Sequence, residues 1–161
     1  MNKIIPMILS LIGLSSATIA QDQKLVWFES SKGVMKVQAP SNWKVGDNPE
    51  HFQVMTTDGS VVLTMAAYGK EGGSLGEFTQ YRFSSIQDFY KATSNVQTIK
   101  NGSFIEFEGT WPGENKPTYY VVAASQSESV FFSLGLVTDR ADFTKNKQMY
   151  ISMFESISVI Q

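Results

Sequence analysis

Two Asx-Gly dipeptides constrain the fold of this chain more than any other feature of its sequence. Each lies between stretches of alternating apolar and polar residues. They are Asp58-Gly59 and Asn101-Gly102. Alternation with a period of two predicts a half-buried strand, and Asp-Gly or Asn-Gly between two such strands is a strong signal for a β-hairpin. The sequence therefore predicts a sheet that is mainly antiparallel.

The remaining elements complete an α+β pattern in the order ββββ-α-ββββ-α, with both helices needing a sheet face to cover. Ser74 followed by Glu77 is a capping box that predicts the start of the first helix, whose apolar stripe runs from Leu75 to Tyr90 over about four turns. Asp139 favours the start of a second helix near the C-terminus. The predicted strands are 25–28, 34–39, 51–56, 60–68, 96–100, 103–108, 118–125 and 130–138.

Composition limits the chemistry that this chain can perform. Its 161 residues are 42% hydrophobic, which suits one domain with one core. Thirteen Lys and Arg against fifteen Asp and Glu leave no basic excess, which argues against nucleic-acid binding. The lack of cysteine excludes disulfides, thiolate zinc sites and thiol catalysis, and the single histidine, His51, excludes sites that need two imidazoles. No cofactor and no metal site are predicted.

The first twenty residues have the layout of a secretory signal peptide. Lys3 precedes an apolar run over 4–14, and small residues over 15–20 end at Ala20, the predicted cleavage position. A membrane span needs about 20 apolar residues, and this run is shorter and interrupted by Pro6. We therefore expect a single mature domain, 21–161, without an integral membrane segment. Export without cysteine fits a bacterial periplasm.

Two segments resemble a known superfamily. Residues 33–43, with the strand Val34–Ala39 and the turn Pro40-Ser41-Asn42-Trp43, are similar to the opening strand and Pro-x-x-Trp turn of the Mog1/PsbP/DcrB-like superfamily. Residues 149–157 are similar to its closing helix and last short strand. The resemblance implies an α/β/α sandwich around an antiparallel sheet. It implies little about activity, because the superfamily includes photosystem accessory subunits, a Ran-binding protein, chaperones of secreted toxins and periplasmic proteins of unknown role, and it supports a non-enzymatic binding role only by analogy.

Three polar features of the sequence are candidates for catalytic or ligand sites. His51 has no orienting carboxylate and nucleophile at a recognisable spacing, which favours a surface or strand-edge histidine. Glu106 and Glu108 share one face of a strand, about 7 Å apart, but glycoside or calcium chemistry would need further groups. They are expected to be solvated. The stretch 69–74 lacks the Gly-Lys-Ser/Thr order of a phosphate-binding loop. No catalytic residue is predicted.

The best candidate for a contact surface is the loop around 112–117. Trp111, Tyr119 and Tyr120 flank this Pro- and Gly-containing loop, where large side chains are less easily buried. Exposed Trp and Tyr are common binding hot spots, so these three residues are the predicted partner-binding residues. The alternative interpretation is an aromatic cluster that closes one end of the sandwich.

Three functions remain open on this basis. The first is a periplasmic accessory protein without catalysis, which binds another protein through a loop edge. The second is an immunity protein that neutralises an interbacterial toxin in the periplasm, since such proteins are small, exported and need no site of their own. The third is a small hydrolase, which would need a cleft with a nucleophile and with His51 as its base.

The signal peptide gives a direct prediction. The exported protein should begin at Gln21, because the small-residue stretch ends at Ala20. The intact mass of the protein recovered from the periplasm measures this. A mass that retains residues 1–20 would contradict the periplasmic assignment.

Overall fold

The computed structural model describes residues 23–46, 48, 51–110 and 113–160, so the predicted signal peptide lies outside the described residues. Within this part the chain forms eleven strands and two helices. The strands are β1 (Leu25–Glu29), β2 (Met35–Pro40), β3 (Lys44–Val45), β4 (Phe52–Met55), β5 (Val62–Gly69), β6 (Tyr90–Ala92), β7 (Gln97–Ile99), β8 (Gly102–Gly109), β9 (Thr118–Gln126), β10 (Val130–Thr138) and β11 (Ser158–Val159). The helices are α1 (Leu75–Ser84) and α2 (Arg140–Ser156).

The strands form one large sheet and one small sheet, and every described pairing is antiparallel. The large sheet has the order β3-β4-β5-β10-β9-β8-β6, with β7 also paired to β8, and the small sheet has the order β1-β2-β11. Both predicted hairpins are confirmed: Asp58-Gly59 lies between β4 and β5, and Asn101 lies in the turn between β7 and β8, with Gly102 as the first residue of β8. The α+β class with a mainly antiparallel sheet is confirmed.

The large sheet separates two packed layers. On one face, α2 and the small sheet enclose the larger core, to which β2 contributes Val37 and α2 contributes Tyr150 and Phe154. On the other face, α1 places Phe83 against a smaller cluster that includes Phe107. Neither helix of the described chain has the length and apolarity that a bilayer crossing requires.

The helices begin where their capping residues predict. Ser74 is the N-cap of α1, and the complete capping box with Glu77 is present. Asp139 is the N-cap of α2, and its carboxylate accepts a hydrogen bond of 2.7 Å from the backbone N–H of Asp142. Local side-chain chemistry therefore sets both helix starts.

The end of the first helix and the number of strands differ from the prediction. The helix ends at Ser84 and does not reach Tyr90, which begins β6 and pairs with Gly109. A Cβ at Gly109 would lie 2.3 Å from the carbonyl oxygen of Phe89, so glycine is required for this close approach. The predicted order is therefore wrong in detail: five strands precede each helix, and β11 follows α2. The strands missed, β3, β6 and β11, are only two or three residues long.

The Pro40 turn brings Trp43 back over the core, as the sequence pattern predicts. The backbone N–H of Trp43 donates to the carbonyl of Pro40 at 2.9 Å, and the side chain is 8% exposed in the larger core. We expect Trp43→Ala to lower the free energy of unfolding by about 3–5 kcal/mol, because it removes a large buried ring and leaves a cavity.

Trp27 is the matched control for that substitution. It is 49% exposed on β1, with the Lys36 ammonium 4.9 Å from its ring centroid. Trp27→Ala should cost about 1 kcal/mol or less. Urea denaturation followed by circular dichroism compares the two variants. Equal losses for both would show that Trp43 is not a core residue.

Candidate functional site

A groove lies on the α1 side of the large sheet, beside the helix. α1 packs mainly on β9 and also contacts β8 and β10. Next to it, β5 and β10 form the floor of an open cavity of about 420 Å³. We call this feature the α1-side groove; it is lined among others by Ala66, Tyr68, Arg82, Tyr120, Ser133 and Gly135.

Small residues on β5 and β10 leave space above these strands, and this space is the groove. On β10, Leu134 and Leu136 point into the larger core, whereas Ser133 and Gly135 point into the groove. A Cβ at Gly135 would lie 2.1 Å from the hydroxyl oxygen of Tyr120, so only glycine lets that phenol lie over the sheet here. The groove is therefore a consequence of residue size on one face of two strands.

Arg82 on α1 is the one arginine or lysine among the described residues that line the α1-side groove. Its guanidinium carbon lies 6.0 Å from the ring centroid of Tyr68, within reach of a cation–π contact. Its Nε is fully enclosed and has no hydrogen-bond partner within the described part of the chain. A polar group in this state costs free energy unless something pairs with it.

Tyr120 supplies a neutral hydroxyl on the same side. Burial raises the pKa of Tyr120, although the nearby Arg82 guanidinium opposes this shift. The phenol therefore keeps its proton at neutral pH and can donate a hydrogen bond. Its ring contacts that of Tyr90 at a centroid distance of 5.5 Å, which fixes its position in the wall of the groove.

The three predicted partner-binding residues do not share one surface in the described structure. Trp111 lies outside the described residues. Tyr119 is 4% exposed and belongs to the larger core, whereas Tyr120 is half-buried in the α1-side groove. Consecutive residues of a strand point to opposite faces, so the alternation over β9 separates the two tyrosines. That same alternation is the sequence signal that could have separated them. Partner binding by these residues stays a prediction.

Glu106 is at the centre of a polar cluster on the α2 side. Its carboxylate accepts hydrogen bonds from the hydroxyl of Tyr119, from Gln97 Nε2 at 2.9 Å and from Lys147 Nζ at 3.1 Å. Burial alone would raise the pKa of Glu106, but these hydrogen bonds outweigh it and hold the pKa below its usual value. The cluster ties α2 to β8 and β9.

The two glutamates of β8 thus have different environments. Glu108 is 46% exposed and pairs with Arg140 at 2.8 Å, which fits the solvated position that the sequence predicts. For Glu106 that prediction is wrong, because its side chain is 16% exposed and surrounded by donors. The two glutamates differ in exposure because Tyr119 and Lys147 cover Glu106 and leave Glu108 open to solvent.

His51 lies at the rim of the groove, immediately before β4. It is exposed and also borders a second cavity of about 240 Å³, which the hairpin between β1 and β2 helps to line. Its backbone N–H donates to Asn48 Oδ1 at 3.0 Å, and within the described residues its imidazole makes no hydrogen bond. The neighbouring Glu50 lies outside the described residues. This placement is that of a surface histidine at a strand end.

Comparisons with known proteins identify the fold. No family model matches the chain, and no curated protein matches it in sequence. A protein of Bacteroides thetaiotaomicron matches 86% of this chain, with 12% identity and a TM-score of 0.60. Cyanobacterial PsbP (CyanoP) from Synechocystis matches 91% of this chain and 98% of its own, with 11% identity and a TM-score of 0.52. LpqN of Mycobacterium tuberculosis, involved in cell envelope biogenesis, matches 86% of this chain and 91% of its own, with 8% identity and a TM-score of 0.48.

At this low identity, the TM-scores of the Bacteroides protein and CyanoP show a likeness of fold alone. The chain spans about half the length of the Bacteroides protein, 49%, but nearly the whole of CyanoP. The Pro40–Trp43 turn and the closing helix also lie where the resemblance implied, and the last short strand, β11, follows directly after residues 149–157. The chain therefore shares its fold with cyanobacterial PsbP, as the resemblance implied.

Proposed function

We propose that the mature chain, 21–161, is a periplasmic accessory protein that acts by binding another protein and not by catalysis. The α1-side groove is the observation that carries this proposal. Its volume of about 420 Å³ lies in the range of binding sites, and it combines aromatic rings, hydroxyl groups and one guanidinium. Tyr and Arg are the residue types that most often dominate binding energy at interfaces.

The rim of the groove extends the contact surface beyond the cavity. Tyr68 is 40% exposed and Val137 is 38% exposed, and both border the groove. A polypeptide lying along β5 and β10 would cover both side chains. The PsbP-like fold supports a binding role by analogy, and the signal-peptide pattern of residues 1–20 supports action in the periplasm.

Trp111 remains a second candidate contact in this proposal. It follows β8 in the sequence, in the loop that returns to β9. The strand that follows that loop, β9, begins beside the wall of the groove, since Tyr90 interacts with the hydroxyl of its first residue, Thr118. We expect Trp111→Ala to cost less stability than Trp43→Ala and to weaken partner binding more.

Affinity capture from periplasmic extract with matched tyrosine variants tests the groove. Tyr68→Ala removes a ring from the rim of the groove, whereas Tyr81→Ala removes a ring that is 64% exposed on α1 and does not line it. Tyr68→Ala should reduce the captured partner by about tenfold or more, as expected for a hot spot. Tyr81→Ala should leave capture unchanged.

The pattern of losses decides between contact surfaces. If the Tyr68→Ala variant still captures the partner and the Trp111→Ala variant does not, the partner binds the loop around Trp111, and the groove proposal is wrong. The partner's identity separates the two binding hypotheses, because an immunity protein would capture a toxin and abolish its killing activity. Gene order gives the same distinction, since an immunity gene normally lies beside its toxin gene.

The hydrolase alternative depends on His51. His51→Ala should keep biological activity within a few-fold of wild type, measured by complementation of a strain that lacks the gene, because the imidazole has no catalytic partner within the described residues. Thermal unfolding of the variant is the control for folding. A loss of about 10²-fold or more in a folded variant would match lost acid–base catalysis and revive the enzyme hypothesis.

A further inference from the structure

The two arginines of this chain are in opposite electrostatic situations. Arg140 is 54% exposed and pairs with Glu108 at 2.8 Å. The Arg82 side chain makes no hydrogen bond and no ion pair within the described part of the chain, and its Nε is enclosed. A guanidinium held against an aromatic ring, Tyr68, without a carboxylate is an incomplete site.

The other polar groups of the groove also favour a ligand that accepts hydrogen bonds. Among the described residues that line the α1-side groove there is no Asp and no Glu. Within the same residues, the hydroxyls of Tyr120 and Ser133 have no hydrogen-bond partner and can donate. An ionised carboxylate is an acceptor only, so its oxygens suit both kinds of donor, the guanidinium and the hydroxyls.

We propose that the α1-side groove binds an acidic side chain of a partner polypeptide, with Arg82 pairing the carboxylate. This inference rests on the proposed function and names the chemistry of its partner. The rings of Tyr68 and Tyr120 pack on the apolar residues that flank the acidic one. Chain-terminal carboxylates are usually captured by clustered backbone N–H groups, whereas the donors here are side chains, which favours an internal Asp or Glu.

Nuclear magnetic resonance of the ¹⁵N-labelled exported protein tests this directly. The chain has only two arginines, so only two arginine Nε–H signals occur, and Arg82→Lys assigns them. The probes are acetyl-Leu-Glu-Leu-amide, its neutral isostere acetyl-Leu-Gln-Leu-amide, and acetyl-Leu-Gln-Leu with a free carboxyl terminus. Each is titrated to about 10 mM, which detects even weak binding.

The Glu peptide should shift the Arg82 Nε–H signal, leave the Arg140 signal unchanged and bind about tenfold or more tightly than the neutral peptide. Added salt should reduce this preference, because the pair lies in an open groove. Arg82→Gln should remove the preference without weakening the neutral peptide, and Arg140→Gln should retain it. If Arg82→Gln does not fold, Arg82→Lys serves, since it keeps the charge but lacks the planar fork and should lose most of the preference.

The remaining outcomes separate this inference from the proposed function. If the Glu and neutral peptides bind the groove equally well, Arg82 does not select a carboxylate, and this inference is wrong. The groove would still be a binding surface, as the proposed function requires. Equal binding of the Glu peptide and the free-carboxyl peptide would overturn the assignment to an acidic side chain. If no peptide shifts a groove signal, the inference is wrong, and the Tyr68→Ala capture experiment decides the proposed function independently.

Discussion

The pairing of β9 with β10 at the centre of the large sheet is the constraint on which the rest of the structure depends. Both strands have buried residues on both faces, and each residue belongs to the α2 side or to the α1 side according to its position in the strand. The register places Gly135 opposite Val122, and a shift of one residue would exchange the two faces of the strand. The larger core, the smaller cluster and the groove all follow from this one alignment.

The size of the side chains then determines whether a face of the sheet forms a packed core or an open cavity. Towards α2, β10 presents Phe132, Leu134 and Leu136, which are fully buried and fill the core. Towards α1, the same strand presents Ser133 and Gly135, which leave space. α1 covers the part of that face where β9 presents Val122, and the part over β5 remains open. A single strand thus stabilises the fold with one set of residues and shapes a cavity with the other.

The sequence determines the local features of this arrangement better than the long-range ones. The hairpins at Asp58-Gly59 and Asn101-Gly102 and the capping box at Ser74 depend on neighbouring residues, and all are present as predicted. The early end of α1 depends on Tyr90 pairing with Gly109, nineteen residues later, and periodicity carries no sign of it. The site could not be predicted for the same reason: the isolation of Arg82 is a property of the residues around it, which come from four strands and a helix.

Charge is distributed unequally between the two faces of the large sheet. On the α2 side, Glu106 and Glu108 are paired with Lys147 and Arg140, so the charged groups there hold the helix against the sheet. On the α1 side, Arg82 has no such partner within the described residues. An enclosed, unpaired donor destabilises the free protein and gains its hydrogen bond only when an acceptor arrives from outside. If the α1-side groove binds an acidic side chain as proposed, the free-energy cost of leaving Arg82 unpaired becomes part of the driving force for binding, and the paired charges of the α2 side offer no comparable gain.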